Sequence, residues 1–328
     1  MKEIIKRLTE AYGPSGHEEE IRNLIRSELE DEVDEIRVDK LGNLITYKEG
    51  SSDKKVMLAA HMDEIGLIVT HIDEDGFIRF SNVGGVSPYI LLGERVIFGN
   101  GLEGVISKEE LDSIKKLRFS KMYIDVGLDS KEDVKEEINI GDVATYKREF
   151  SDLGDRLLAK SLDNRAGCAL LIETIKNLST LANDTYFVFT VQEEVGIRGA
   201  QTSAFGINPD LGIAVDVTGT GDTPESRRMA VSLGEGPAIK VKDRSVITHP
   251  KVKDLMVSTA EEQEISYQLE VLEFGGTDAG SIHLTRKGVP TGVLSIPARY
   301  IHTPSEVVDY SDVENGVKLL DSILQKEV

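Results

Sequence analysis

Ala59-Ala60-His61-Met62-Asp63-Glu64-Ile65-Gly66 (AAHMDEIG) is the stretch on which the reading of this chain turns. It closes an apolar run, Val56-Met57-Leu58-Ala59-Ala60, that follows Lys54 and Lys55. A run of that length predicts a strand buried on both faces. In open α/β sheets, ligands gather just beyond the carboxyl ends of such strands. His61 and Asp63 stand there, separated by Met62. Taken alone, the stretch reads equally well as a capping turn that contains a histidine.

Other segments repeat the pattern. Phe187-Val188-Phe189-Thr190-Val191-Gln192 reads as a strand ending in Glu193-Glu194, and Leu211-Gly212-Ile213-Ala214-Val215 as one ending in Asp216. Ser161-Leu162-Asp163-Asn164-Arg165 stands directly before a helix, and Ile296 to Ile301 leads into His302. Singly, Asp163 reads as a helix cap, Glu193-Glu194 and His302 as solvated loop residues, and Asp216 as a turn residue. Five such segments at one sheet edge are hard to explain that way.

The N-terminal region predicts two helices broken at Tyr12-Gly13-Pro14-Ser15-Gly16, with Ser15 and Glu18 spaced as a capping box. Strands are expected at Glu35–Val38 and Asn43–Tyr47. From Gly66 to about Phe150, short alternating runs punctuated by glycine predict a compact antiparallel β-barrel, interrupted by a short helix at Lys108–Leu117. After Asp152 the βα rhythm returns: helices at Ala166–Leu178, Val252–Glu264 and Val313–Leu324, strands at Thr185–Thr190, Leu211–Val217, Tyr267–Leu272 and Pro290–Ser295. The expected fold is α/β, a three-layer open sheet formed by residues 1–65 and 153–328, with a β-rich insertion at 66–152.

Composition narrows the function classes. The chain has 328 residues, 40% of them hydrophobic, which suits roughly two domains of about 100–200 residues each. A formal net charge of -20 repels nucleic-acid phosphates and anionic membranes, so neither is an expected partner. The single cysteine, Cys168, excludes an internal disulfide framework and suits a reducing cytoplasm. No stretch has the roughly 18 apolar residues of a membrane span or the core of a signal peptide.

Two histidines and three carboxylates suit a pair of zinc or cobalt ions, with nitrogen and oxygen donors mixed. A carboxylate shared between ions roughly 3.5–4 Å apart lets both act on one substrate. Of Glu193 and Glu194, one would bind metal and the other take a proton from the attacking water. Asp63 can accept the second imidazole N–H of His61 and fix its tautomer.

The segments AAHMDEIG, SLDNRAG, VQEEVGIRGA, VDVTG, EFGGTDAG and RYIHTPSE, in this order across nearly the whole chain, resemble the dinuclear-metal aminopeptidases of the tetrahedral (TET) type, the glutamyl and deblocking aminopeptidases. The resemblance implies two divalent ions per subunit: His61 and Asp216 on one, Glu194 and His302 on the other, Asp163 bridging. It makes Glu193 the general acid/base and Asp63 the residue that orients His61. It further implies peptide substrates, a β insertion that mediates self-association, and hollow dodecamers built from dimers.

The loop Gly275–Ala279 opens a helix near the site, and Asp278 reads either as its cap or as a substrate contact. Arg299 and Tyr300 read as packing residues before His302. Lys242 and Arg244 would favour acidic substrate side chains if they lined the pocket. His17, His71, His249 and His283 read as structural or loop residues, and Cys168 as a small core residue. Two other classes stand beside the peptidase: a carbohydrate hydrolase, since relatives carry endoglucanase labels, and a non-catalytic metal-dependent assembly protein. A glycosidase needs two facing carboxyls without histidines among them, and usually an aromatic cleft. This chain has no tryptophan and 5% aromatic residues. An assembly protein gives no reason for Glu193 beside Glu194.

Overall fold

The apolar run before His61 forms the strand its composition predicts, Lys55–His61, buried from Val56 onward. The computed structural model describes all 328 residues. In chain order, α1 (Lys2–Glu10) and α2 (Glu19–Leu29) precede β1 (Glu35–Val38), β2 (Leu44–Lys48) and β3 (Lys55–His61). Then come β4 (Gly66–Ile72), β5 (Ile78–Val83), β6 (Arg95–Phe98), β7 (Glu103–Lys108), β8 (Met122–Asp125), α3 (Lys131–Glu137) and β9 (Val143–Tyr146). β10 (Ser151–Asp152), β11 (Arg156–Ala159), α4 (Leu162–Asn177), β12 (Asp184–Thr190), α5 (Arg198–Ile207) and β13 (Leu211–Thr218) follow. The chain ends with β14 (Ala238–Lys242), α6 (Pro250–Glu262), β15 (Gln268–Val271), α7 (Ala279–Ile282), β16 (Thr291–Arg299), β17 (Glu306–Asp309) and α8 (Tyr310–Leu324).

Strands β12, β3, β13 and β16 lie side by side and parallel at the centre of the large sheet. Their register decides what meets at the edge. Thr190 pairs with His61 and Ala214 with Ala59, so Asp216 is level with His61. One face is covered by α4 and α8 through Leu170, Ile172, Leu320 and their neighbours; α5 and α7 cover the other with Ala200, Ala204 and Ile282. Helix α4 is buried on nearly all sides, sunk between the sheet and the outer helices. The architecture is the expected layered α/β sheet.

Strands β4-β5-β8-β7-β6-β9 close a six-stranded antiparallel barrel with its own core of Leu67, Val69, Phe80, Val96, Phe98 and Ile106. The expected helix at Lys108–Leu117 is absent; only a 3-10 turn forms, at Ile114–Lys116. Glu109 is held in extended chain by Arg79 and Lys121, at 2.8 and 2.7 Å, which removes it from any helix. The barrel's helix is α3 instead, started by Ser130, whose hydroxyl accepts the Asp133 amide. The capping box at Ser15 does not form either. Helix α2 begins at Glu19 with no side-chain cap, and the Ser15 hydroxyl donates to Asp63 at 2.6 Å. No helix is long and apolar enough to cross a membrane.

Candidate metal centre

Every residue expected at the sheet edge is brought to one place. Asp163 is the hub: its Oδ1 lies 3.0 Å from His61 Nε2 and its Oδ2 3.3 Å from His302 Nε2. Asp216 Oδ1 is 3.6 Å from His61 Nε2, and Glu194 Oε2 is 3.1 Å from His302 Nε2. Two groups of donors result, His61-Asp163-Asp216 and Asp163-Glu194-His302, with the atoms of each within 4.8 Å of one another. Glu193 belongs to neither, and its Oε2 stands 4.0 Å from His61 Nε2.

Two buried carboxylates hold the segments that carry these groups. Asp63 accepts the backbone N–H of Glu193 at 3.0 Å and of Glu194 at 3.2 Å, besides the Ser15 hydroxyl. Glu306 accepts the N–H of Asp163 and of His302, each at 2.8 Å. The orienting role expected of Asp63 is therefore divided. The acceptor nearest His61 Nδ1 is the Asp63 backbone carbonyl at 3.2 Å, with the carboxylate at 3.5 Å. For His302, Nδ1 faces the carbonyl of Gly85 at 3.1 Å, which turns Nε2 toward Asp163 and Glu194. Gly85 lies between barrel strands, so the insertion reaches the site. A Cβ there would come within 2.5 Å of His302 Nδ1, so only glycine fits.

The electrostatics ask for cations. No lysine or arginine pairs with Asp163, Glu193, Glu194 or Asp216; their partners are the two imidazoles. Burial opposes charge on His302, yet Glu194 and Asp163 push its imidazole up to about 12. Burial likewise opposes charge on His61, while Asp163, Asp216 and Asp63 hold its pKa well above the ordinary value. Burial, and then Asp216 and Glu194, raise Glu193 well above the usual carboxylate range. A cluster that draws protons onto both histidines is short of positive charge. Nitrogen and oxygen donors in trios suit zinc or cobalt, so the residues present fit a pair of divalent ions.

A cavity of about 650 Å³ opens beside the cluster, lined also by Arg299 and Tyr300. Neither Lys242, Arg244 nor Asp278 lines it. Asp278 makes no cap bond to α7; it is buried and accepts the Thr190 hydroxyl at 2.5 Å. Arg299 is bound to Asp222. Cys168 is buried in α4, its thiol 3.2 Å from the His61 carbonyl. Glu306 and Gly85 carried no role in the sequence reading, and Ser15 only that of a helix cap. Of the three, only Glu306 left a signal, as the last residue of RYIHTPSE.

Residues 42–319 match the family model of the M42 glutamyl aminopeptidases. Among sequence relatives, a protein of Acetivibrio thermocellus whose aminopeptidase name is provisional is 56% identical over 98% of this chain and 97% of its own. The lysyl aminopeptidase of Pyrococcus furiosus is 37% identical, covering 99% of this chain and 96% of its own. Among solved structures, an aminopeptidase of Desulfurococcus kamchatkensis superposes with TM-score 0.96 at 41% identity, over 99% of this chain and 94% of that one. A Pyrococcus horikoshii peptidase that can assemble into a tetrahedron or a large octahedral shell gives 0.89 at 35%, over 99% of both chains. A Thermotoga maritima protein titled an endoglucanase gives 0.85 at 37%, over 98% of this chain and 96% of that one. Fold and site together define a layered α/β hydrolase with a barrel insertion. The chain belongs to the M42 glutamyl aminopeptidase family.

Proposed function

We propose that this chain removes N-terminal residues from peptides with the help of two divalent metal ions, zinc or cobalt. His61, Asp216 and Asp163 would hold one ion; Glu194, His302 and Asp163 the other. Bound there, the ions supply Lewis acidity, polarising the scissile carbonyl and acidifying water. Glu193 Oε2 takes the proton of the attacking water and returns it to the leaving amine. The Asp63 carboxylate, by holding the amides of both glutamates, keeps Glu193 and Glu194 in their separate roles.

The observation that carries this reading is the pair of donor trios sharing Asp163, with Glu193 free beside them. The test is hydrolysis of aminoacyl anilides before chelation, after it, and after return of cobalt or zinc. Turnover untouched by chelation, or hydrolysis of β-glucan in place of anilides, overturns the reading. We further propose that residues 1–65 and 153–328 are the catalytic domain and that 66–152 mediate dimerisation and assembly into a dodecamer. The shell-forming Pyrococcus horikoshii relative supports this. A fully active monomer by light scattering would sink it. The unpaired Cys168 supports a cytoplasmic location.

A further inference from the structure

The cavity beside the cluster also bears on which peptides enter it, an inference that rests on the aminopeptidase reading above. Away from the cluster the large side chains of its wall are mainly apolar, Ile197, Val217, Leu272, Phe274 and Ile301, set among glycines and three threonines. Among lysines and arginines only Arg299 lines it. That guanidinium is already engaged: Nε donates to Asp222 Oδ1 at 2.9 Å and Nη2 to Oδ2 at 2.6 Å. Asp222 is fixed in turn by the Thr220 hydroxyl at 2.6 Å and the Leu233 amide at 3.1 Å. The Thr218 hydroxyl on the same wall donates to the buried Glu270, which Lys240 binds at 2.9 Å.

We propose that the cavity selects peptides with an apolar N-terminal side chain, and that Asp222 sets this preference by occupying Arg299. An acidic side chain finds the Nε side of the guanidinium taken and its charge offset by Asp222. On the wall away from the cluster a lysine ammonium finds no free carboxylate, since Asp222 is held by Arg299. Either charge would lose water without gaining an uncommitted partner of opposite charge on that wall. A leucine or methionine side chain loses only unfavourable hydration. Forked pairing takes the Nε and one Nη2 hydrogen of Arg299 and offsets its charge, so a substrate carboxylate would meet only the Nη1 side of a guanidinium already paired with Asp222.

The experiment measures kcat/KM for leucyl-, methionyl-, glutamyl- and lysyl-p-nitroanilide with the metal-loaded protein. Leucyl and methionyl substrates should exceed glutamyl and lysyl ones by at least about tenfold, the lower end of the discrimination an apolar pocket supplies. Asp222→Asn should raise the glutamyl-to-leucyl ratio by about tenfold, chiefly through a lower KM for the glutamyl substrate. A wild-type enzyme that prefers glutamyl or lysyl anilide overturns the inference and leaves the peptidase reading standing. Cleavage of none of the four overturns both. A glutamyl-to-leucyl ratio unchanged in Asp222→Asn removes the role given to Asp222. The wild-type panel decides the preference even where that variant does not fold.

Discussion

Two clusters of buried charge sit within a few residues of each other in this chain, and they behave oppositely. Glu64 is matched by fixed cations: Lys160 Nζ lies 2.5 Å away and Arg165 Nη2 3.7 Å, with Ser161 and the Gly13 amide completing its shell. Asp163, Glu193, Glu194 and Asp216 have only His61 and His302. The first cluster closes on itself and ties α1, β3, β11 and α4 together at the base of the site. The second is left short of positive charge by the same fold. Burial alone therefore says little about role; the balance of charge within the cluster separates the scaffold from the site.

The comparison breaks most visibly at its hub. Asp163→Asn should lose both ions by elemental analysis and about 10⁴-fold or more in turnover, since metal assistance and the proton transfer it supports fail together. Full metal occupancy in that variant would refute a shared carboxylate. Next comes Glu193→Gln, which should keep both metals yet lower kcat by about 10²–10⁴-fold. Glu194→Gln should lose metal first; the reverse outcome would exchange the two roles.

On the scaffold side the expected readout changes from chemistry to folding. Lys160→Met leaves Glu64 short of a partner and should cost about 3–5 kcal/mol of stability, with the metal-to-protein ratio preserved. If it lost metal while melting normally, the division between the clusters would be wrong. Glu306→Gln tests the boundary between them. An amide cannot accept from both the Asp163 and His302 N–H groups, so metal affinity should drop about 10–100-fold by chelator competition, as for other residues behind metal ligands. The smallest effect belongs to Cys168. Burial pushes its thiol up to about 12, so it should stay unalkylated in the native protein through mildly alkaline pH and react only after unfolding. Rapid labelling of the folded protein would show that α4 is not the sealed element it is here.

Much of this was legible because the central strands are short apolar runs with a charged residue just past each end. Singly each such run and the residues after it allow a bland reading, but several of them together point to side chains emerging at one sheet edge. His61, Glu193, Glu194, Asp216 and His302 could be read in that way, and Asp163 from its place directly before a helix. The helix expected at Lys108–Leu117 failed because Glu109 answers to Arg79 and Lys121, 30 and 12 residues away, rather than to its neighbours. Ser15 failed as a cap for the same reason: its hydroxyl is taken by Asp63, 48 residues on.

By itself, then, the sequence determined which residue types stand at the strand ends and that the fold is a layered α/β sheet with a β insertion. Periodicity and composition are local properties, and local properties specify elements. Tertiary structure alone decided that Glu306, inside a strand, holds the amides of Asp163 and His302, and that the barrel's Gly85 turns His302 toward the site. It alone decided that Arg299 is spent on Asp222 rather than open to substrate. Each of these is a pairing between segments far apart in the chain. A hydrogen bond or ion pair depends on distances of about 3 Å, and those exist only once the sheet, the barrel and the loops between them have been packed.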